Sequence, residues 1–165
     1  MKKYKPINIL LILIFALLEI NCSYFKSKVI DNIKVKEIKS VKLSKIPIPF
    51  ISSKTEFTFI LGILNDNPFD IVLKKTDYDV YINNTKIGNG VSKKEQVLIK
   101  NRINGLSLGF SFDAGEILIN GISLIEVLSS NEQLEFKLVG NLTTISESKE
   151  YIVPFKIVDL RKIIQ

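Results

Sequence analysis

The chain has 165 residues, 46% of them hydrophobic, a length that predicts one domain with a sizeable core. Histidine is absent and cysteine occurs once, which excludes a histidine-based catalytic site, an intramolecular disulfide and a zinc site built on several cysteines. The formal net charge of +6 is spread along strand-like segments rather than concentrated beside aromatic residues, so we expect no nucleic-acid partner.

Residues 1–21 have the pattern of a secretory signal peptide. Three lysines within the first five residues precede a twelve-residue apolar segment, Ile7–Leu18. A membrane-spanning helix needs about 20 apolar residues, so we expect a cleaved signal rather than a permanent span. The alternative is an uncleaved N-terminal anchor, because Ile20 continues the apolar segment beyond Glu19.

The only cysteine, Cys22, lies directly after this segment. Residues 18–22, Leu-Glu-Ile-Asn-Cys, resemble a bacterial lipobox, in which the thiol is acylated and the cysteine becomes the new N-terminus. Glu19 and Asn21 depart from the usual box, which has Leu three residues before the cysteine and Gly or Ala just before it. Two or three acyl chains anchor a protein stably. We therefore expect lipid attachment at Cys22, a tether over residues 22–32, a domain over residues 33–165, and a location on the membrane of a bacterial cell envelope.

The first half of the domain predicts two strands and an extended connection. Apolar residues alternate over Ile33–Leu43, except that Ile38 is out of phase, which indicates a β-bulge. Two prolines in Ile46–Phe50 exclude a central strand there. Thr55–Leu64 is the most apolar segment and has apolar residues on both faces, so we expect it in the centre of a sheet, ending at a turn that begins with Asn65.

Residues 65–90 predict a turn followed by a hairpin. The sequence Asn-Asp-Asn-Pro at residues 65–68 favours bent backbone. A strand follows in which Tyr78, Val80 and Ile82 share one face. The pair at residues 83–84 is Asn-Asn, and asparagine tolerates the positive φ of a tight hairpin turn. The second arm ends with Gly88 and Gly90.

Four more strands and one short helix are predicted after the hairpin. The strands are Glu95–Lys100, Leu106–Phe112, Gln133–Leu142 and the segment around Tyr151–Ile157, where Pro154 indicates an edge or a bulge. Between the second and third of these, Asp113 and Glu116 have the spacing of a capping box, and the apolar period becomes helical. Gly121 would cost such a helix about 1 kcal/mol, so the prediction is firmest for Ile122–Leu128.

Seven or eight short strands with one short helix predict a mainly β fold, a two-sheet antiparallel β-sandwich of the fibronectin-III-like kind. We expect a monomeric domain whose core includes five phenylalanines: Phe57, Phe59, Phe110, Phe112 and Phe136.

The turn and the hairpin also carry a family resemblance. They resemble the core of the late embryogenesis abundant (LEA) type 2 family, also described as LEA14-like or as the water-stress-and-hypersensitive-response (WHy) domain. The residues that match the family pattern are Asn65, Asn67, Pro68, Phe69, Tyr78, Gly88 and Gly90. Asp66 and Asn84 depart from it, since the family often has Pro and Gly there. The likeness extends over residues 33–157 and implies a small two-sheet sandwich.

The resemblance also implies a protein without catalysis or cofactor, associated with stress and desiccation tolerance. We therefore expect a membrane-anchored lipoprotein with a protective or structural role at the cell envelope. The alternative is a binding module that captures a lipid, peptide or envelope protein through a sheet edge or an apolar groove. An apolar cavity or an uncovered sheet edge would favour the binding module, and a closed core would favour the protective role.

A metal site is a further alternative, because Asp66, Asp70, Asp77 and Asp79 lie within fourteen residues of one another. Calcium prefers six to eight oxygen ligands. The spacing of these four residues matches no loop that brings so many ligands together, and Asp77 and Asp79 share one face of a predicted strand. We therefore expect no metal.

Overall fold

The computed structural model describes residues 30–45, 54–113, 118–119, 122–123, 126–127 and 133–161. The predicted signal peptide, Cys22 and the connection at Ile46–Phe50 lie outside the described residues. The described part contains ten strands: β1 (Ile33–Lys45), β2 (Lys54–Asn65), β3 (Ile71–Ile82), β4 (Thr85–Ser92), β5 (Gln96–Leu98), β6 (Arg102–Asp113), β7 (Leu118–Ile119), β8 (Ile122–Ser123), β9 (Leu134–Ser146) and β10 (Lys149–Arg161).

Eight of these strands form two antiparallel sheets, which confirms the predicted sandwich. The first sheet has the order β1-β2-β6. The second has the order β10-β9-β3-β4, and β5 also pairs with β3. The most apolar strand, β2, is central in its sheet as predicted, and β10, which contains Pro154, lies at an edge.

The core lies between the sheets and is built from the alternating apolar residues. In β6 the four inward side chains from Leu106 to Phe112 are at most 9% exposed, while the residues between them are exposed. Phe136 of the second sheet meets Phe57 and Phe59 of the first edge-on, with ring centroids 5.9 and 6.0 Å apart. Such pairs contribute about 0.5–1.5 kcal/mol beyond their buried area. The predicted phenylalanine core is confirmed.

Two local predictions are also confirmed. The pairing register of β1 with β2 shifts on both sides of Ile38, which is fully buried, so the out-of-phase residue is accommodated by bulges that turn it inward. Asn83 and Asn84, which connect β3 to β4, have φ values of 46° and 65°. Positive φ at both central residues is the geometry of the two-residue hairpin turn that matches strand twist.

The predicted helix is wrong at its start. Leu118 pairs with Ser123 and Ile119 with Ile122 in an antiparallel ladder, and Asp113 ends β6 instead of capping a helix. In this part of the chain, helical structure is described at Glu126 and Val127. The dipeptide between the paired isoleucines is Asn-Gly, at residues 120–121, which is the strongest short-range hairpin signal. The pairing of the described residues on either side agrees with this signal and not with the helical apolar period, which Gly121 already weakened.

Candidate functional site

The asparagine-rich turn after β2 contains the densest set of buried side-chain hydrogen bonds among the residues singled out by sequence, and Asn65 is at its centre. Asn65 is fully buried. Its Nδ2 donates hydrogen bonds to the carbonyl oxygens of Phe69, at 3.0 Å, and Leu98, at 2.8 Å. Its Oδ1 accepts from the backbone N–H of Asn67, at 3.1 Å, and from the Asn67 side-chain amide, at 3.0 Å. One amide group therefore satisfies four polar partners inside the fold.

The same turn is joined to the beginning of β1. The backbone N–H of Asp66 donates to the carbonyl oxygen of Asn32 at 2.8 Å, and the Asn32 side-chain amide lies 3.5 Å from Oδ1 of Asn67. Asn67 is 1% exposed, while Pro68 is exposed and Phe69 is half-buried against the core. The side-chain amides of Asn65 and Asn67 are directed into the protein, which is the arrangement of a structural joint rather than of a surface that recognises a partner.

Tyr78, Gly88 and Gly90 meet elsewhere, along the β3–β4 ladder. A Cβ on Gly90 would lie 2.4 Å from the Tyr78 ring, and a Cβ on Gly88 would lie 2.6 Å from the Phe110 ring. These two positions therefore require glycine because aromatic rings occupy the space above them. The Tyr78 hydroxyl donates to the carbonyl oxygen of Gly109 at 2.5 Å, which links β3 to β6 across the two sheets. Burial raises the pKa of the Tyr78 phenol above its ordinary value.

The matched residues thus form two separate groups. Tyr78 is seven residues along β3 from Ile71, a distance of about 23 Å along the strand, and the Asn65 turn precedes Ile71. The structure does not bring the two groups into one pocket.

Three of the four aspartates that suggested a metal site are engaged singly. Asp77 forms an ion pair with Lys75 at 2.8 Å, and Asp79 with Lys86 at 2.9 Å. Asp70 accepts a hydrogen bond from the backbone N–H of Lys100 at 2.8 Å. Among the described residues, no three His, Cys, Asp or Glu side chains lie close enough together to hold a metal ion.

Apolar side chains of both sheets meet in the space between them. Phe59, Leu61 and Ile63 of the first sheet and Val80 and Leu138 of the second are all fully buried. A surface depression of about 230 Å³ lies over β2 and β6, lined by Glu56, Phe57, Thr58, Gly109, Phe110 and Ser111. Its position on the outer side of the first sheet makes it distinct from a groove between the sheets.

The outer edge of β6 has contacts that sequence reasoning missed. No described strand pairs with this edge. Instead, Nε2 of Gln96 donates to the carbonyl oxygen of Gly105 at 2.7 Å, and the Tyr78 hydroxyl covers the carbonyl of Gly109. Side chains therefore cap part of an edge that could otherwise pair with another chain. A glutamine in a short strand gives no sequence signal for this role, because its partner is fixed only by tertiary structure.

The described part of the chain includes no helix with the length and apolar composition needed to cross a membrane.

Comparisons with known proteins add information about the fold. No family model and no curated protein matches the chain. The solution structure of an Arabidopsis thaliana protein aligns with a TM-score of 0.56 at 16% identity, covering 76% of this chain and 79% of that protein. At this identity the similarity shows a shared fold and nothing about function.

Two other structural similarities are weaker. The solution structure of a candidate late embryogenesis abundant (LEA) protein aligns with a TM-score of 0.48 at 14% identity, covering 92% of this chain and 83% of that one. A crystal structure of a candidate lipoprotein from Bacillus subtilis aligns with a TM-score of 0.37 at 14% identity, covering 76% of this chain and 38% of that one. Both scores lie below 0.5, so we draw no conclusion from them.

Proposed function

We propose that this chain is a non-catalytic lipoprotein of a bacterial cell envelope, with a LEA type 2 domain in a protective or structural role. The observation that carries the anchoring is the position of Cys22, the only cysteine in the chain, four residues after the apolar segment Ile7–Leu18. Acyl chains contribute about 0.8 kcal/mol for each buried CH₂. A thiol at this position is therefore well placed to hold the domain on a membrane.

The domain supports a role without catalysis. The buried side chain of Asn65 forms its hydrogen bonds with Phe69, Leu98 and Asn67 of the same fold. The Tyr78 hydroxyl donates its hydrogen bond to the backbone of Gly109. Catalytic sites keep polar groups positioned for a substrate rather than for the fold. The stress-related part of the proposal is supported by the resemblance of the turn and the hairpin to the LEA type 2 pattern.

The anchoring is tested by mass spectrometry of the full-length protein extracted from the membranes of its bacterial host. We expect the mass of a chain that begins at Cys22 and carries acyl groups. Cys22→Ala should leave an unmodified precursor, whereas Ser23→Ala, one residue further on, should be processed as the wild type is. A wild-type protein without acyl mass, or equal processing of the Cys22→Ala protein, would refute lipid anchoring.

The protective role is tested on vesicles that carry the anchored protein and an entrapped dye. Drying and rehydration should release less dye than from vesicles without protein. Equal release would remove the support for protection.

A binding module is the second candidate function. The fully buried side chains between the sheets favour an edge or an outer surface over an internal groove as the place for a partner. Native mass spectrometry of the extracted protein distinguishes the two candidates, because a lipid, peptide or protein that remains bound in stoichiometric amount would favour the binding module.

A further inference from the structure

The chain enters the domain at the same end as the turn between β5 and β6. Ile33, the first residue of β1, pairs with Asn65, and Asn65 pairs with Arg102, the first residue of β6. Two strand spacings separate β1 from β6, about 10 Å. Eight Cα-to-Cα steps lead from Cys22 to Ile30, and they span at most about 29 Å when fully extended. A domain anchored through Cys22 therefore keeps this end close to the membrane.

Residues 97–103, which we call the tip, expose an unusual set of side chains at this end. Val97, Ile99 and Ile103 are 51%, 44% and 50% exposed. Lys100 and Arg102 lie among them and are also exposed. Single exposed aliphatic residues are common on protein surfaces. Three of them within seven residues, interleaved with two cations, form a combination of apolar and basic groups that suits a membrane interface.

The tip is held rigidly in this form. Oδ1 of Asn104 accepts from the Ile99 backbone N–H at 2.9 Å, and its Nδ2 donates to the carbonyl oxygens of Ile99 and Arg102, both at 3.1 Å. The backbone N–H of Lys100 donates to Asp70 at 2.8 Å. These bonds fix the backbone on both sides of Asn101, whose φ is 52°. The aliphatic side chains are therefore presented by a fixed backbone rather than by a loop that can fold inward.

We propose that the tip is a second membrane contact, which lies in the headgroup region of a phospholipid surface while the acyl chains on Cys22 hold the protein there. This inference rests on the proposed anchoring at Cys22. Ile99 and Ile103, each two residues from Asn101, enter the apolar part of the interface, and Lys100 and Arg102 donate to phosphate oxygens, as long basic side chains do at membrane surfaces.

Acidic residues at the same end of the domain limit the electrostatic attraction between the tip and an anionic membrane. Asp66 and Asp70 lie on the neighbouring turn, and Glu147 and Glu150 lie at the β9–β10 hairpin. These four carboxylates outnumber Lys100 and Arg102, even with Lys149 of the same hairpin counted among the cations. Burial of the aliphatic side chains, rather than a net positive field, therefore supplies the attraction, and the two cations act locally on headgroup phosphates.

The chain contains no tryptophan, so one introduced tryptophan reports on a single position. Ile99→Trp places the reporter in the tip. Val158→Trp is a matched control, because Val158 is a branched aliphatic residue with 47% exposure on β10. It pairs with Lys137, which pairs with Tyr81 near the opposite end of the sandwich. The full-length variants are extracted from membranes and reconstituted into vesicles of phosphatidylethanolamine and phosphatidylglycerol, with and without brominated acyl chains.

Acylation and tip contact are measured separately. The mass of each preparation shows whether Cys22 carries acyl groups. A preparation without acyl mass is coupled through the Cys22 thiol, the only thiol in the chain, to a maleimide lipid in the same vesicles. The tip is then tested whether or not the cell acylates the protein, so failure of the proposed anchoring and failure of the tip contact are distinguishable.

We expect tryptophan emission at position 99 to shift to shorter wavelength on vesicles and to be quenched by brominated lipid, while emission at position 158 stays as in water. Water-like emission at both positions would overturn the proposal. Equal shifts at both positions would also overturn it, because they would mean that the domain lies on its side. A shift at position 99 without vesicles would overturn it too, because it would mean contact with a second copy.

Hydrogen exchange of the wild-type protein provides a check without substitution. Vesicles should slow exchange in residues 99–103 and leave exchange in residues 83–85 unchanged. Equal exchange rates of residues 99–103 with and without vesicles would count against the tip.

Discussion

Asn65→Ala tests whether the asparagine-rich turn stabilises the fold. The substitution removes four hydrogen bonds and leaves the carbonyl oxygens of Phe69 and Leu98 and the two N–H donors of Asn67 without their partner. A buried group without a partner costs about 1–3 kcal/mol. Phe69 is only half-buried, so water can replace part of the loss there. We therefore expect a loss of about 3 kcal/mol in the free energy of unfolding, a large share of the roughly 5–15 kcal/mol typical of a domain.

Urea unfolding of residues 23–165, followed by circular dichroism of the β signal, measures this loss. With an m value of about 1–3 kcal/mol per molar urea, the midpoint should fall by about 1–3 M. Asn89→Ala is the matched control, because Asn89 is an exposed residue of β4, and it should change stability by less than about 0.5 kcal/mol. If Asn65→Ala moved the midpoint no further than Asn89→Ala at an unchanged m value, the turn would not stabilise the fold in the way we describe.

Three further predictions concern the packing around the β3–β4 hairpin. Gly90→Ala should destabilise the domain by about 1–3 kcal/mol because its Cβ would meet the Tyr78 ring, whereas Gly109→Ala, whose Cβ meets nothing within 4 Å, should leave the urea midpoint nearly unchanged; equal effects would contradict this account. The pKa of Tyr78 is raised in the folded state, so the stability that the neutral phenol contributes is complete below the ordinary pKa of 10.0 and is lost as pH rises through the folded pKa. Tyr78→Phe should therefore reduce the loss of stability at alkaline pH. Parallel profiles of stability against pH for the two proteins would argue against this role. Phe110→Ala should cost about 3–5 kcal/mol, since the ring stacks on Phe112 with centroids 5.2 Å apart, and an unchanged melting temperature would show that this ring does not contribute to the core.

Features encoded by neighbouring residues could be predicted from the sequence. The alternation in β6 and the phase break at Ile38 both follow from side chains that alternate between two faces of a strand. The Asn83-Asn84 turn follows from the tolerance of asparagine for positive φ. In each case a local preference and the burial of apolar side chains point to the same structure, and the structure has the predicted geometry.

Features that depend on distant partners could not be predicted in the same way. The amide of Asn65 bonds to the carbonyl of Leu98, 33 residues away, and the Tyr78 hydroxyl bonds to the carbonyl of Gly109, 31 residues away. Nothing in the spacing of these residues specifies those contacts. For the predicted helix the error was of another kind. An apolar period that suited a helix was preferred to the Asn-Gly dipeptide, although the described residues on either side of that dipeptide pair as strands.

The position of the asparagine-rich turn gives it a role that its hydrogen bonds alone do not explain. Asp66 bonds to Asn32 where the chain enters the domain, Asn65 bonds to the end of β5, and Asp70 bonds to Lys100 in the tip. One short segment therefore joins the entry of the tether, the second sheet and the tip. If acyl chains on Cys22 hold the protein on a membrane, any pull on the tether reaches the domain at this joint. A buried polar network with fixed partners resists such a pull better than an apolar contact, because hydrogen bonds are directional while apolar burial is not. This gives a mechanical reason for polar residues at this place in the fold, in addition to the backbone groups that they satisfy.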